Sequence, residues 1–200
     1  MIQELIRKNR SYRRFYQDVA VDAHTLKSFV DLARLSPSAR NLQPLKYIIS
    51  NNKEINEKIF PTLAWAGYLK DWDGPVEGER PAAYIVIVVD KNITQSKPEY
   101  DEGIVAQSIL LGAVEQGLGG CIIVSVKRQE LAEILNLSAQ YEIALVIALG
   151  KPKEQVVITD VKDNDIKYFR DKDAIHYVPK RSLDDIILDV KTDDNYHATK

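Results

Sequence analysis

The chain of 200 residues has one cysteine, one methionine, three histidines and no marked excess of either charge. Each scarcity excludes something. A lone thiol, Cys121, cannot close an internal disulfide, and a reducing cytoplasm is the simplest setting for it. His24, His176 and His197 stand apart, none with a second ligand three or four residues away, so no metal site is expected. With 27 basic against 29 acidic residues, the net charge is −2. No global basic field is therefore available to recruit nucleic acid. No apolar run approaches the roughly 18 residues that span a bilayer, so no membrane segment is expected. The start, Met1-Ile2-Gln3-Glu4 followed by Arg7-Lys8, lacks the pattern of a signal peptide. A Gly-x-Ser-x-Gly elbow for acyl transfer is missing. Gly117-Leu118-Gly119-Gly120 follows a helical pattern rather than a strand, so it reads as a helix cap and not as a dinucleotide fingerprint. Gly150-Lys151 has Leu145 where a phosphate-binding loop needs its first glycine. Repeats and low-complexity segments are absent too.

What is present is the material of one soluble domain, 45% hydrophobic and 28% charged. Leu26, Phe29, Val30 and Ala33 recur at helical spacing between Asp22 and Leu35, and Pro37 bars continuation. Leu45 to Ser50 reads as a short strand and Lys53 to Phe60 as a short helix stopped by Pro61. Residues 62–81 look irregular and lid-like. Ala82 to Val89 is a continuous apolar run, read as a strand buried on both faces. Apolar residues surround the helix Tyr100 to Gln116 almost completely, which predicts a central, buried helix with Gly117 and Gly119 at its cap. Cys121 to Val124 reads as a strand, Lys127 to Leu135 as a helix and Ile143 to Leu149 as the last core strand. Residues 151–182 carry scattered apolar side chains without a period, a long excursion that needs another surface to lie on. Lys191 to Lys200 is polar, and a frayed tail is expected there. The uneven interleaving of helices and strands predicts an α+β fold, with helices flanking a mixed central sheet. Residues 1–190 are read as a single domain.

Two short stretches carry the chemistry. Asn9-Arg10-Ser11-Tyr12-Arg13-Arg14-Phe15 packs three guanidiniums and a hydroxyl together, groups that bind phosphate or carboxylate oxygens in pairs. The bland alternative is a solvated charged face. Ser36-Pro37-Ser38-Ala39-Arg40-Asn41-Leu42-Gln43-Pro44 is a turn of small and amide residues that lets backbone amides approach a flat polar ring. Arg10 and Arg13, with Lys180 or Arg181, can neutralise a terminal phosphate. Arg14 is expected to face solvent. Cys121, in an apolar strand without a cationic neighbour in sequence, reads as a buried structural thiol. Trp65 and Tyr68 are candidates for covering an open pocket and sorting substrates, a core role for Trp65 being equally open.

Taken together, the segments resemble the flavin-binding signature of the nitroreductase family. The likeness rests on Arg10-Ser11-Tyr12-Arg13, on Pro37 to Pro44, on Gly117-Leu118-Gly119 after the long helix, on Gly150-Lys151-Pro152, and on the late basic pair Lys180-Arg181. That pair has Pro179 before it and Ser182 after it, where family members often read Arg-Lys-Pro-Leu.

The resemblance implies an intertwined homodimer with an extended C-terminal arm, here 151–182, and FMN held between subunits. It implies that Arg10 and Ser11 contact the cofactor phosphate and ribityl chain and that Arg13 lies nearer the pyrimidine edge. Pro37, Ser38, Ala39 and Asn41 would reach in from the partner subunit, with Arg40 either a binding or a surface residue. Ile122, Ile123 and Ser125, with Val124 between them, would lie against the ring. The implied activity is FMN-dependent transfer of hydride from NAD(P)H to electron-poor acceptors such as nitroaromatics, quinones or enones, by a ping-pong scheme. No side chain is singled out as acid or base, because the flavin N5 carries the hydride. Relatives with other flavin chemistry (flavin destruction, dehalogenation, azoline oxidation) and a flavin-binding sensor or carrier without turnover are the alternatives.

Overall fold

The apolar run predicted as a doubly buried strand is the axis around which the first part of the protein is built. The computed structural model describes residues 1–191, so residues 192–200 of the expected frayed tail lie outside the described residues. The chain divides into two compact units, Met1–Gln155 and Val156–Lys200.

In the first unit, strand β3 (Ala83–Asp90) is buried at every position. On one side it pairs antiparallel with β2 (Leu45–Ser50), Leu45 opposite Val89 and Ser50 opposite Tyr84. On the other side lies β5 (Tyr141–Pro152), also antiparallel, with a bulge between Ile87 and Val88. The far edge of β5 is shared by β4 (Gly119–Ile123) and by the two-residue β1 (Phe15–Tyr16), both antiparallel to it. The pairings of named strands in this sheet are thus all antiparallel, and its parallel component is the single bridge between Ser11 and Gly120.

Alternation along β3 explains why no charged residue precedes Asp90 at its end. Ala83, Ile85, Ile87 and Val89 pack with α2 (Ala23–Arg34) and α4 (Glu99–Glu115) on one face. Tyr84, Val86 and Val88 pack on the other face with Ile59 at the end of α3 (Lys53–Ile59) and Leu131 of α5 (Arg128–Ile134). With helices on both faces, both sets of side chains between Ala83 and Val89 are predominantly apolar. Asp22 caps α2 by accepting from the Thr25 amide at 2.9 Å and the Thr25 hydroxyl at 2.6 Å.

Helix α4 departs from expectation. Val105, Ala106, Ile109, Leu110 and Ala113 are buried, but Tyr100 is 87% and Ile104 40% exposed. The sheet and α2 cover one side only, which leaves an apolar strip on the other. The helix closes as predicted at Gly117, whose φ of +71° allows the Leu118 amide to reach the Ala113 carbonyl at 2.8 Å. Gly119 is not part of the cap: it already belongs to β4. Pro61 does not end the α3 region outright, because a single 3-10 turn, Phe60–Thr62, continues past it. Residues 63–82 contain no named helix or strand, and the Leu63–Val126 bridge ties their start to the β4–α5 connection.

The second unit turns the aperiodic segment into a small mixed sheet. Strand β6 (Val156–Asp160) runs parallel to β8 (His176–Lys180), and β7 (Phe169–Arg170) pairs antiparallel with β8. Phe169 stacks on Tyr177, ring centroids 5.1 Å apart. A one-turn helix, α6 (Leu183–Ile186), starts from a capping box between Ser182 and Asp185. No helix among the described residues is long and apolar enough to cross a membrane.

Candidate active site

The arginine segment lies beside the start of β4, where Gly119 leaves room for it. The Tyr12 amide donates to the Gly120 carbonyl at 3.0 Å, beside the Ser11–Gly120 bridge. A Cβ at Gly119 would stand 2.5 Å from the Tyr12 ring. Glu154, itself buried, accepts from the backbone amides of both Arg13 and Arg14. Asn9 is tied to Gln107 of α4 at 3.1 Å. The segment is therefore held by its backbone and by Asn9, which leaves the arginine side chains for other partners.

Those side chains diverge. Arg14, expected in solvent, instead makes a two-pronged pair with Glu79 at 2.5 and 2.7 Å, and Lys153 joins the same carboxylate at 3.1 Å. Extended backbone sends neighbouring side chains to opposite sides, and Glu79 comes from the irregular 63–82 stretch, so sequence spacing gave no sign of it. Hydrogen bonds from Arg14 and Lys153 outweigh the effect of burial and pull the Glu79 carboxyl down to about 2. Its folded-state value lies below the ordinary 4.5, so this carboxylate stabilises the fold fully above about pH 4.5 and loses its effect as pH falls toward 2. In Glu79→Gln the denaturation midpoint should fall less steeply across that window than in the wild type. Equal slopes would place the acid sensitivity elsewhere.

Arg13 turns the other way. It is buried, its Nη1 donating to the Ser11 carbonyl at 3.2 Å, and it lines a hollow of about 180 Å³ with Ala64–Gly67 and Cys121–Ser125. Arg10 is half-buried. Its Nη2 donates to the Ile6 carbonyl at 2.8 Å, while its buried Nε has no hydrogen-bond partner among the described residues. Burial lowers the pKa of this guanidinium, with Tyr12 acting in the opposite direction.

Around the hollow, Trp65 is 8% exposed, packs at 5.8 Å against Phe60 and belongs to the core beneath the sheet, so it lines the hollow from within the core. Tyr68 is 48% exposed. Ile123 points into the core, while Ile122, Val124 and Ser125 are exposed. Cys121 also lines the hollow, a placement that sequence reasoning missed. Its thiol is buried, which pushes its pKa up against the opposing charge of Arg13. The signal was the strand alternation that puts Cys121 and Ile123 on one face. A larger cavity of about 700 Å³, walled by Val21, Phe60, Arg80 and Tyr84, contains none of the sequence-predicted residues.

The Pro37–Pro44 loop is in a different place. Leu45, just after it, faces Val89, which faces Glu142 on β5, whereas Gly120 faces Leu149. Seven residues of strand separate those two positions on β5, about 23 Å at the usual rise. The loop carrying Pro37, Ser38, Ala39 and Asn41 leads into the edge strand β2, whereas the segment carrying Arg10, Ser11 and Arg13 bridges to β4 on the other side of β5. Arg40 is exposed. Lys180 and Arg181 belong to the second unit, where Lys180 ends β8 and Arg181 donates to Asn164 at 3.3 Å. Among the described residues no cluster of His, Cys, Asp or Glu is arranged to hold a metal ion.

Residues 6–151 match the model of the nitroreductase family. A protein of Methanothermobacter thermautotrophicus named "Putative NADH dehydrogenase/NAD(P)H nitroreductase" is 28% identical over 170 residues, spanning 82% of this chain and 84% of its own. Among solved structures, a nitroreductase family protein of Streptococcus pneumoniae superposes with a TM-score of 0.64 at 18% identity, covering 81% of this chain and 96% of that one. An FMN-dependent nitroreductase of Clostridium difficile superposes at 0.61 with 24% identity, covering 82% and 92%. The α+β fold described above is shared with these structures.

Proposed function

Because the chain belongs to the nitroreductase family, we propose that it is an FMN-dependent oxidoreductase whose site is completed by a second copy of itself. It would take hydride from NAD(P)H and deliver it to an electron-poor acceptor such as a nitroaromatic, quinone or enone. The observation that carries this reading is that the two signature segments attach to different edges of the sheet. In a pair of chains sharing one flavin, the Pro37–Asn41 loop of one would meet the arginine segment of the other. The size of the hollow supports this, since about 180 Å³ is less than the roughly 300 Å³ at the lower end for small-molecule sites. The exposed strip of Tyr100 and Ile104 on α4 supplies apolar surface for such a neighbour, and residues 151–182 are the candidate arm.

The residues present fit FMN. The unpartnered Nε and half-buried guanidinium of Arg10 suit a phosphate, with Ser11 beside it. Lys180 and Arg181 are the further candidates for that phosphate. The buried guanidinium of Arg13 at the hollow suits the pyrimidine edge, where it would stabilise negative charge. FMN, when bound, supplies the redox chemistry, accepting and releasing hydride at N5. The protein orients the ring along Ile122–Ser125, while Trp65 and Tyr68 limit what enters beside it. The protonated, buried Cys121 thiol is given no chemical role.

The purified protein should be yellow, release FMN on heating, and scatter light at sub-micromolar concentration as a particle of twice 22.7 kDa. Rapid mixing with NAD(P)H should bleach the flavin, and double-reciprocal plots should be parallel. Recovered FAD, or a monomer that keeps its FMN, would overturn the shared FMN site. A flavin that NAD(P)H fails to bleach would leave a carrier or sensor instead.

A further inference from the structure

Helix α4 crosses the sheet from the loop corner to the arginine corner, and its first turn carries a carboxylate the function above does not use. Asp101 is 3% exposed. Its Oδ2 accepts from the Ser38 hydroxyl at 2.5 Å and its Oδ1 from the Ala39 amide at 3.0 Å. Ser38 Oγ accepts in turn from the Gln43 amide at 2.9 Å. A relay thus runs from Gln43 through Ser38 to Asp101 and closes the loop into a ring anchored on the helix. A second tie, between the Ser36 and Ser108 hydroxyls at 2.7 Å, holds the loop's entry to the same helix.

The ring encloses an unfavourable backbone. Arg40, Asn41 and Gln43 have φ of +54°, +55° and +52°, the left-handed region that only glycine enters without steric cost. Such conformations persist only where the surroundings over-determine them. Here the surroundings are bonds within the loop, from Gln43 to Asn41 and from the Asn41 and Leu42 amides, and one buried carboxylate that ties the loop to the helix. That carboxylate sits in the N-terminal turn of α4 and accepts two hydrogen bonds from the loop.

We propose that Asp101 is the positioning residue of the flavin loop: it holds Ser38 to Gln43 in the strained, preorganised shape in which Ser38, Ala39 and Asn41 meet the cofactor of the neighbouring chain. This rests on the shared FMN site proposed above. Asp101 touches neither cofactor nor substrate in this scheme. It removes the cost of ordering the loop at the moment of binding.

The test is hydrogen exchange by mass spectrometry on the full-length protein, together with FMN titration, for wild type, Asp101→Ala and Asp101→Asn. Asp101→Ala should raise exchange across residues 38–43 and weaken FMN by about ten-fold or more. Asp101→Asn keeps one acceptor but not the charge, and should fall between. At saturating FMN the turnover number of both variants should approach that of wild type, because the loss is in binding. If Asp101→Ala does not fold, Ser38→Ala must still raise exchange at Gln43, which loses its acceptor. Faster exchange with FMN affinity unchanged within two-fold would make Asp101 a structural residue only. Unchanged exchange would mean that the lock does not exist. A wild-type protein that binds no FMN would instead defeat the functional reading itself, and this inference with it.

Discussion

Arg10→Ala is expected to weaken FMN binding about ten- to a hundred-fold, the value of one charge-assisted contact of roughly 1.5–3 kcal/mol, with little change in melting temperature. Its guanidinium donates to the Ile6 carbonyl, in a short helix (Ile2–Lys8) that buries no side chain. Little folding stability depends on it. Arg14→Ala should do the reverse. It removes both prongs of the pair to Glu79 and leaves a largely buried carboxylate with Lys153 alone. A loss of about 1.5–3 kcal/mol is expected, which at 2–4 °C per kcal/mol lowers the melting temperature by about 3–12 °C. FMN affinity should hardly change. Flavin fluorescence titration and thermal denaturation on the two variants separate these effects. If both variants lose flavin equally and neither loses stability, the basic run acts as a diffuse field and the division of labour between the two arginines is wrong.

Gly120→Ala should be the most damaging single methyl in the first unit. The added carbon would stand 2.5 Å from the Ala148 carbonyl oxygen and 2.7 Å from Leu110 Cδ2. The first of these is backbone, held in the middle of β5 by pairing with both β3 and β4. It cannot swing aside as a side chain would. Overpacking of this kind costs about 1–3 kcal/mol, and the backbone obstacle argues for the upper end. Because the Gly120 carbonyl also receives the Tyr12 amide, a shift of β4 moves the arginine segment, so flavin affinity should fall along with stability. Gly103→Ala is the control. Nothing lies within 4 Å of its added carbon, and in mid-helix the change should be neutral or stabilising by up to about 1 kcal/mol. Calorimetry on both variants, with flavin content measured in parallel, decides the matter. A Gly120→Ala protein as stable as wild type would show that β4 has slack the geometry does not suggest.

Much of this architecture could be read from one dimension. The helix over 22–35, the strand over 45–50 and the doubly buried strand near 82–89 emerged within a residue or two of their observed ends. Periodicity and capping are local signals, and the residues that generate them are neighbours in sequence. Gly117 as a left-handed cap belongs to the same class. Where the reading failed, a partner distant in the chain was responsible. Arg14 was placed in solvent because Glu79, 65 residues away, cannot be seen from its neighbours. The apolar circumference of α4 implied complete burial, but how much of a helix is covered depends on what packs against it. Residues 151–182 gave no period because a three-stranded sheet with two-residue and five-residue strands is too short to display one.

The candidate site divides along the same line. Sequence alone named the two signature segments and the residue types that suit a phosphate and a flat ring, since these are matters of side-chain chemistry and short spacing. Only the tertiary structure decided that Arg13 is buried beside Trp65 and Cys121 while Arg14 is not, because strand pairing and the 63–82 excursion determine which way each side chain is received. Only the strand pairing placed the two segments beside different edge strands of the sheet. And only packing brought Asp101 under Ser38, 63 residues apart in the chain, since a buried carboxylate goes where donors satisfy it, and no sequence interval specifies that place.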